Sequence, residues 1–325
     1  MDNSREISWK SLWNRSQGSI YQSWDWIKIQ DSLGVNPNIL TIENQGKISA
    51  AVAGFEKTLH TPLGKKRIFQ IYGDPIYINE DSCKNLLEDL KKKSKEYFYT
   101  TISPSSSKVA QMLDSLNFSK SLNSTIVLDL DKDKDYLWSQ LEKKSIRWGV
   151  KTAEKNGLNF SQTTSNSDIE SFYSLYVKTA TDGKFKAESK EIINSLIKSG
   201  MTNLFIVKKK SELVAGGMVI NDVNKNKSIL EMTSASEEGL DLQAMPFLYW
   251  NMIIHAKSKG FLTFDLGGYD LDARPGEKTY NINKFKERFG GQITELPVYS
   301  SNSKYSLVRS IMRKFRFVKK LYKKS

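Results

Sequence analysis

LFIVKKKSELVAGGMVIN, residues 204–221, and SILEMTSAS, residues 228–236, decide the architecture. Two apolar runs flank the charged turn KKKSE, which is the pattern of two strands, and the third run supplies the next strand. Downstream, residues 243–258 place Met245, Leu248, Met252, Ile253 and Ala256 at three- to four-residue steps, as a core-facing helix requires. LTFDLGG (262–268) then reads as a strand, INKFKERF (282–289) as a helix and QITELPVYS (292–300) as a closing strand.

The first half repeats that order. KISAAVAGFE (47–56) and RIFQIYGDPIYI (67–78) read as strands, SCKNLLEDLKKKSKEY (82–97) as a helix and FYTTIS (98–103) as a strand. KVAQMLDSLNF (108–118) gives a second helix before the strand TIVLDL (125–130). A period this long is not a solenoid. It predicts two similar α/β domains, each an α+β mixed sheet covered by helices. The first is expected over residues 1–142, completed by a C-terminal helix over 304–325, and the second over 143–303.

Composition bounds the chemistry. With 325 residues, 39% of them hydrophobic, each half can bury its own core. The net charge of +13 favours polyanionic partners such as RNA, phosphorylated intermediates or an anionic membrane surface. A single cysteine, Cys83, excludes an intramolecular disulfide and a site built from several thiolates, and points to an intracellular protein. No apolar run is long enough to span a bilayer, and the start MDNSREISWKSLWNRSQGS lacks the pattern of a signal peptide. A cytoplasmic monomer is expected, with room for peripheral contact at the inner face of the membrane. His60 and His255 lie outside any H-E-x-x-H pattern, and no G-x-S-x-G elbow is present, so both histidines read as structural.

Between the halves, residues 131–160 read as a helical connector that Asp135 can cap and Gly157 can stop. Lys143, Lys144, Arg147, Lys151 and Lys155 recur every three or four residues, so several share a face that could be solvated or could contact RNA, with Trp138, Leu141 and Trp148 beneath. From Lys304 onward the chain contains no acid, while Val308, Ile311, Met312, Phe315 and Leu321 form an apolar stripe. Such a tail can pack back on a domain, lie on a membrane or face RNA.

FDLGGYDLDARPGEKTYNINKFKERFGG, residues 264–291, puts a glycine pair at a strand end, the usual place for a ligand in an α/β fold. Asp265, Gly267 and Gly268 supply too few glycines for a dinucleotide loop. They suit a tight turn beside substrate, with Asp265 anchoring it.

The strand, loop, helix, strand order resembles the GNAT acyltransferase fold, in which a glycine-rich loop binds the pyrophosphate of coenzyme A. The matching loops here, NEDSCKN and SEEGLDLQAMP, lack those glycines and carry acids that repel a pyrophosphate, so no coenzyme A or other cofactor is expected. The pieces YQSWDWIKIQDSLG, IYGDPIYI, KKSIRWGVKTAEKNGL, FYSLYVKTATDGKF, AGGMVI, SASEEG, FDLGG and NKFKERFGG, in that order, resemble the Fem family of aminoacyltransferases, specifically its compact members without the helical arm. The resemblance covers nearly the whole chain and implies two tandem GNAT-like domains. It also implies transfer of an amino acid from aminoacyl-tRNA to an amine of a peptidoglycan precursor, nucleotide- or lipid-linked, in building the interpeptide bridge of the cell wall.

An aminoacyl ester is already activated, so such an enzyme has to position the amine, stabilise the oxyanion and manage a proton. The resemblance implies that Lys286 supplies positive charge at the reacting end and that the carbonyl of Phe285 orients the amine. Lys28 matches a lysine on the nucleotide part of the acceptor. Trp26, Tyr72, Asp265, Gly267, Gly268 and Tyr269 are the other substrate-site candidates, and the connector's basic residues are the candidates for tRNA. Ser103, before Pro104, stands where some members carry an acid, so no carboxylate base is assigned. Two other readings remain: a GNAT-fold acyltransferase acting on a surface polysaccharide or amino sugar with another donor, and a non-catalytic RNA- or membrane-binding protein.

Overall fold

The structure is a computed structural model and describes residues 3–61 and 64–311. The chain divides into two compact units, one of residues 1–123 and 296–325 and one of residues 124–295. The sequence reading set the boundaries at 142/143 and 303/304. The observed division follows burial: Leu130, Leu137 and Leu141 belong to the second unit's core, and Tyr299 belongs to the first.

In the first unit, α1 (Asn3–Arg15) and α2 (Trp24–Ser32) precede β1 (Pro37–Asn44), β2 (Lys47–Thr61), β3 (Gly64–Tyr72) and β4 (Ile76–Tyr77). Next come α3 (Glu80–Lys93), β5 (Thr100–Ser103), α4 (Ser107–Ser115) and β6 (Ser119–Asp129). β1, β2 and β3 pair antiparallel, and β5 runs parallel to β3 from Phe69↔Thr100 to Tyr72↔Ser103. The apolar face of α3, with Leu86, Leu87 and Leu90, packs on Phe69, Ile71 and Ile102. Full burial of each such side chain contributes ~1.5–3 kcal/mol.

The single strand expected over 67–78 is broken after Tyr72. Gly73 has φ +78°, and Asp74 turns its carboxylate onto the backbone N–H groups of Ser105 and Ser106, each at 3.1 Å, ahead of α4. β4 then pairs with Ala50 and Ala51 of β2. The gap between β2 and β3 is filled by Gln22, which is fully buried. Its amide donates to the carbonyls of Ala53 (3.0 Å) and Tyr72 (2.9 Å), and its oxygen accepts the Ala53 N–H (2.8 Å).

The second unit begins within β6 and continues through α5 (Lys134–Gln140), a π-helical turn (Lys143–Arg147), α6 (Trp148–Lys155) and β7 (Leu158–Thr163). It goes on through α7 (Asn166–Gly183), α8 (Lys190–Lys198), β8 (Thr202–Lys209), β9 (Glu212–Asp222) and β10 (Lys227–Ala235). α9 (Glu237–Asp241), α10 (Ala244–Ser258), β11 (Thr263–Tyr269) and α11 (Lys278–Glu287) follow, and β12 (Gln292–Ser300) closes the order. The sheet order is β6-β11-β10-β9-β8-β7, mixed because β10 and β11 run parallel. The end of β12 pairs with β5 in the first unit, Tyr299 opposite Ile102.

The glycine pair of the opening stretch sets how closely helices approach this sheet. A Cβ on Gly216 would lie 2.6 Å from the ring of Phe172 on α7, and one on Gly217 would lie 3.2 Å from the Met252 sulfur on α10. Successive strand residues point to opposite faces, so α7 and α10 cover the two sides and each reaches the backbone through a missing side chain. α10 is buried almost all round, including Phe247, Leu248, Tyr249, Trp250, Met252 and Ile253. The side chain missing at Gly149 lets α6 cross it, because a Cβ there would meet Pro246 at 2.8 Å.

The connector is not one helix. Asp133, rather than Asp135, caps its start by accepting the Tyr136 N–H at 2.7 Å, and the helix stops at Leu141. There the Glu142 N–H turns to the Arg288 carbonyl at 2.8 Å while the Glu142 carboxylate pairs with the Arg288 guanidinium at 3.1 Å. The interruption changes the helical phase. Leu141 is buried and Trp138 packs against Trp250, but Trp148, expected beneath the lysines, is 53% exposed. Residues 304–311 are helical, with Tyr305 edge-on to Tyr99 and Leu307 and Ile311 exposed. The remainder of the expected helix over 304–325, with Met312, Phe315 and Leu321, lies outside the described residues.

Candidate functional site

The parallel pairing of β10 with β11 lasts only from Lys227↔Thr263 to Ile229↔Asp265. Beyond it both strands lose register: β10 bulges between Leu230 and Met232 against β9, and β11 shifts between Asp265 and Gly268 against β6. Bulges of this kind end pairing and re-aim side chains. The candidate site is built at this interruption.

Asp265 holds the turn. Its carboxylate is almost fully buried, accepts the Gly267 N–H at 2.8 Å and the Thr125 hydroxyl, and pairs with Lys227 at 2.7 Å. Gly267 can then adopt φ +75°, and the carbonyls of Gly267 and Gly268 face α11. Lys286, in the last turn of α11 and 8% exposed, donates to them at 3.1 and 2.9 Å. An ammonium has three N–H donors, so one remains for a ligand. Burial depresses Lys286 from its usual 10.5 to about 8, partly opposed by the charge of Asp265. A cation with a spare donor at a strand end can stabilise an oxyanion.

The neighbours fix α11 in place. Phe285 packs edge-on against Tyr249 and Phe289, with centroids 5.1 and 5.3 Å away. The Tyr269 hydroxyl donates to Glu287 at 2.6 Å, and that bond together with burial pushes it up to about 12. Asn283 is bound to the backbone of Asp270 through both ends of its amide, at 2.7 and 3.2 Å.

Gly267→Ala should therefore strain the site directly. An alanine at φ +75° would place its Cβ 3.1 Å from the Leu230 carbonyl, whereas Gly268 has open space around it. The expected loss is about 1–2 kcal/mol for Gly267→Ala, and little for Gly268→Ala, read from urea midpoints.

The structure gathers Lys286, Phe285, Asp265, Gly267, Gly268 and Tyr269 in the second unit. Lys28, Trp26 and Tyr72 belong to the first. There, Trp26 is buried and edge-on to Tyr21 at 5.1 Å, and Tyr72 lies 6.0 Å from that same ring. The Tyr72 hydroxyl receives Lys57 at 2.9 Å. Lys28 is exposed and paired with Glu6 at 3.0 Å. Of the connector's basic residues, Lys143, Lys144, Lys151 and Lys155 are exposed and Arg147 is half-buried. A cleft of about 370 Å3 elsewhere in the second unit, lined by Asp129, Tyr136, Gln140 and Phe289 among others, holds none of the predicted residues.

Sequence reasoning missed Lys227 and Thr125, the partners of Asp265. Both are non-local, set by strand register. Among the described residues no group of histidine, cysteine, aspartate and glutamate could hold a metal, and no helix is long and apolar enough to cross a membrane.

Residues 142–280 match the model of an acetyltransferase (GNAT) domain. No curated protein matches the sequence. Among solved structures the chain is similar to FemX, with a TM-score of 0.73 and 16% identity over 94% of this chain and 98% of that one. It is also similar to the C-terminal domain of a protein assigned as a lysylphosphatidylglycerol synthetase from Agrobacterium fabrum, with a TM-score of 0.68 and 13% identity over 95% and 96% of the two chains. A third likeness is to a tandem GNAT protein from the clavulanic acid biosynthesis pathway, with a TM-score of 0.53 and 9% identity over 92% and 95%. The Fem resemblance read from the sequence thus extends to the fold, which is that of two tandem GNAT-like domains, the second carrying an acyltransferase-type domain match.

Proposed function

We propose that the chain is an aminoacyltransferase that moves an amino acid from its ester on tRNA to an amine of a peptidoglycan precursor. The observation that carries this reading is the loop after β10, where a GNAT domain would hold coenzyme A. Its single glycine, Gly239, is consumed by packing, since a Cβ there would sit 2.2 Å from the Val214 carbonyl. Glu237 and Glu238 occupy the helix start, where a pyrophosphate would need positive partial charge. A donor that is instead a large polyanion suits the net charge of +13 and the exposed lysines of the connector.

In this mechanism the acceptor amine attacks the ester carbonyl and the spare N–H of Lys286 meets the developing oxyanion. Asp265 and Lys227 act only through the turn that presents the two glycine carbonyls. No covalent enzyme intermediate is required, because the ribose ester is already a competent leaving group. The donor assigns the work to the cytoplasm.

Purified protein incubated with a pool of tRNA charged with labelled amino acids, and a muramyl pentapeptide precursor as acceptor, is expected to give labelled precursor. Acetyl-coenzyme A is expected to give none. Label on phosphatidylglycerol vesicles in place of the precursor would move the acceptor to a lipid, a second reading favoured by the likeness to the Agrobacterium fabrum protein. Transfer from acetyl-coenzyme A alone would replace the donor.

A further inference from the structure

We propose that Glu231 is the general base that takes the proton from the attacking amine. The assignment rests on the acyl-transfer reading and adds the residue that reading lacks, since Ser103 offers no carboxylate.

Glu231 is the extra residue of the β10 bulge: Leu230 opposes Val219 and Met232 opposes Met218, which leaves Glu231 with no partner across the ladder. Bulged residues are turned out of the alternation of their strand. The bulge adjoins the Lys286 turn, because the position of a Gly267 Cβ would be 3.1 Å from the Leu230 carbonyl and 3.7 Å from the Lys286 Nζ. The residue following Leu230 therefore stands at the edge of the same interruption that presents Lys286.

The side chain is left free for chemistry. Glu231 is exposed and forms no hydrogen bond or ion pair with the described residues. The nearest lysine on its own strand, Lys227, is committed to Asp265. The groups facing it come from α7 and the segment after it: Tyr176, whose hydroxyl accepts the Glu188 N–H at 3.2 Å, and Glu188 itself. Although solvent reaches Glu231, protein surrounds it. Desolvation, then the like charge of Glu188, raises its carboxyl above the ordinary range. A carboxylate shifted in that direction is a better match for a proton transfer near neutral pH.

The step balances without another reactant. The lysine amine arrives as an ammonium and gives one proton to the Glu231 carboxylate, which passes it on to water. The neutral nitrogen then bonds to the ester carbonyl carbon, the bond from that carbon to the ribose oxygen breaks, and the second amine proton moves to the leaving ribose oxygen.

The test compares two nucleophiles in wild-type protein and Glu231→Gln. One is the lysine amine of a muramyl pentapeptide, which must lose a proton to react. The other is hydroxylamine, which is unprotonated at neutral pH. Both are run with aminoacyl-tRNA and, in parallel, with acetyl-coenzyme A. Glu231→Gln is expected to lower kcat with the lysine amine by about 10²-fold and to leave hydroxylamine close to the wild-type rate. Glu188→Gln, which removes the charge that raises Glu231, should carry the acidic limb of the lysine-amine profile to lower pH. Equal losses with both nucleophiles, or none, overturn the assignment. If wild-type protein turns over only acetyl-coenzyme A, the aminoacyl donor falls and Glu231 is judged on that donor. If neither donor supports transfer, both fall together.

Discussion

Lys286→Met is expected to lower kcat/KM for acyl transfer by about 10²- to 10³-fold, the usual loss when one preorganised oxyanion donor is removed. The side chain is 8% exposed and already holds two carbonyls, so its third N–H is aimed without further ordering. Methionine keeps much of the volume and none of the charge. The wild-type rate should also fall as pH rises through about 8, where Lys286 loses its proton. A variant that retains the wild-type rate and alkaline limb would remove Lys286 from the chemistry.

The same burial carries a stability signature whose sign can be worked out. The folded protein releases the Lys286 proton near 8, while the unfolded chain keeps it up to the ordinary 10.5. Between those values the unfolded state binds more protons, so wild-type stability rises with pH there. Below about 8 the penalty for charging the buried amine is present in full. Urea midpoints of wild type minus Lys286→Met should therefore climb across this window and be flat below it.

Asp265→Ala is expected to give the largest loss of stability, about 3–5 kcal/mol, because removing one member of a buried pair strands the other. Lys227 would remain largely covered without its partner, and the Thr125 hydroxyl and Gly267 N–H would lose their acceptor. The double change Asp265→Leu with Lys227→Met should recover much of that loss, since replacing a whole buried pair by apolar groups is often neutral. Yet it should not restore transfer if the glycine carbonyls have turned away from Lys286. Equal stability of wild type and Asp265→Ala in urea would deny that the carboxylate holds the turn.

The repeated architecture was legible because it is written in local periodicity. The runs at 204–207 and 213–220, and the apolar steps of α10, are each visible within a short window. α7 carries the same kind of signal in Ile169, Phe172, Tyr176 and Ala180, all buried at three- and four-residue steps, but it follows the polar stretch SQTTSNSD and was read only as part of a family resemblance. The N-terminal helices and β1 went unread, and the strand at 67–78 concealed its break at Gly73 and Asp74. Trp148 was misplaced because a face drawn through the connector assumes unbroken phase, and the contact that breaks it comes from Arg288, far along the chain. The candidate site divides the same way. Lys286 and its glycines lie within one stretch, whereas the Lys227 and Thr125 contacts and the β10 bulge depend on which strands become neighbours.

Gln22 carries a consequence for how the two domains can change over time. Three hydrogen bonds between one buried amide and the backbone stitch β2 to the end of β3 inside the first sheet, while the comparable break in the second is bordered by an exposed glutamate. The halves share a blueprint but not its vulnerable point. Mutations around the stitched seam are answerable to folding through the amide that closes it, and those around the open one, on the acyl-transfer reading, to chemistry as well. Descendants of such a chain can therefore exchange Gln22 only where another side chain still closes the seam.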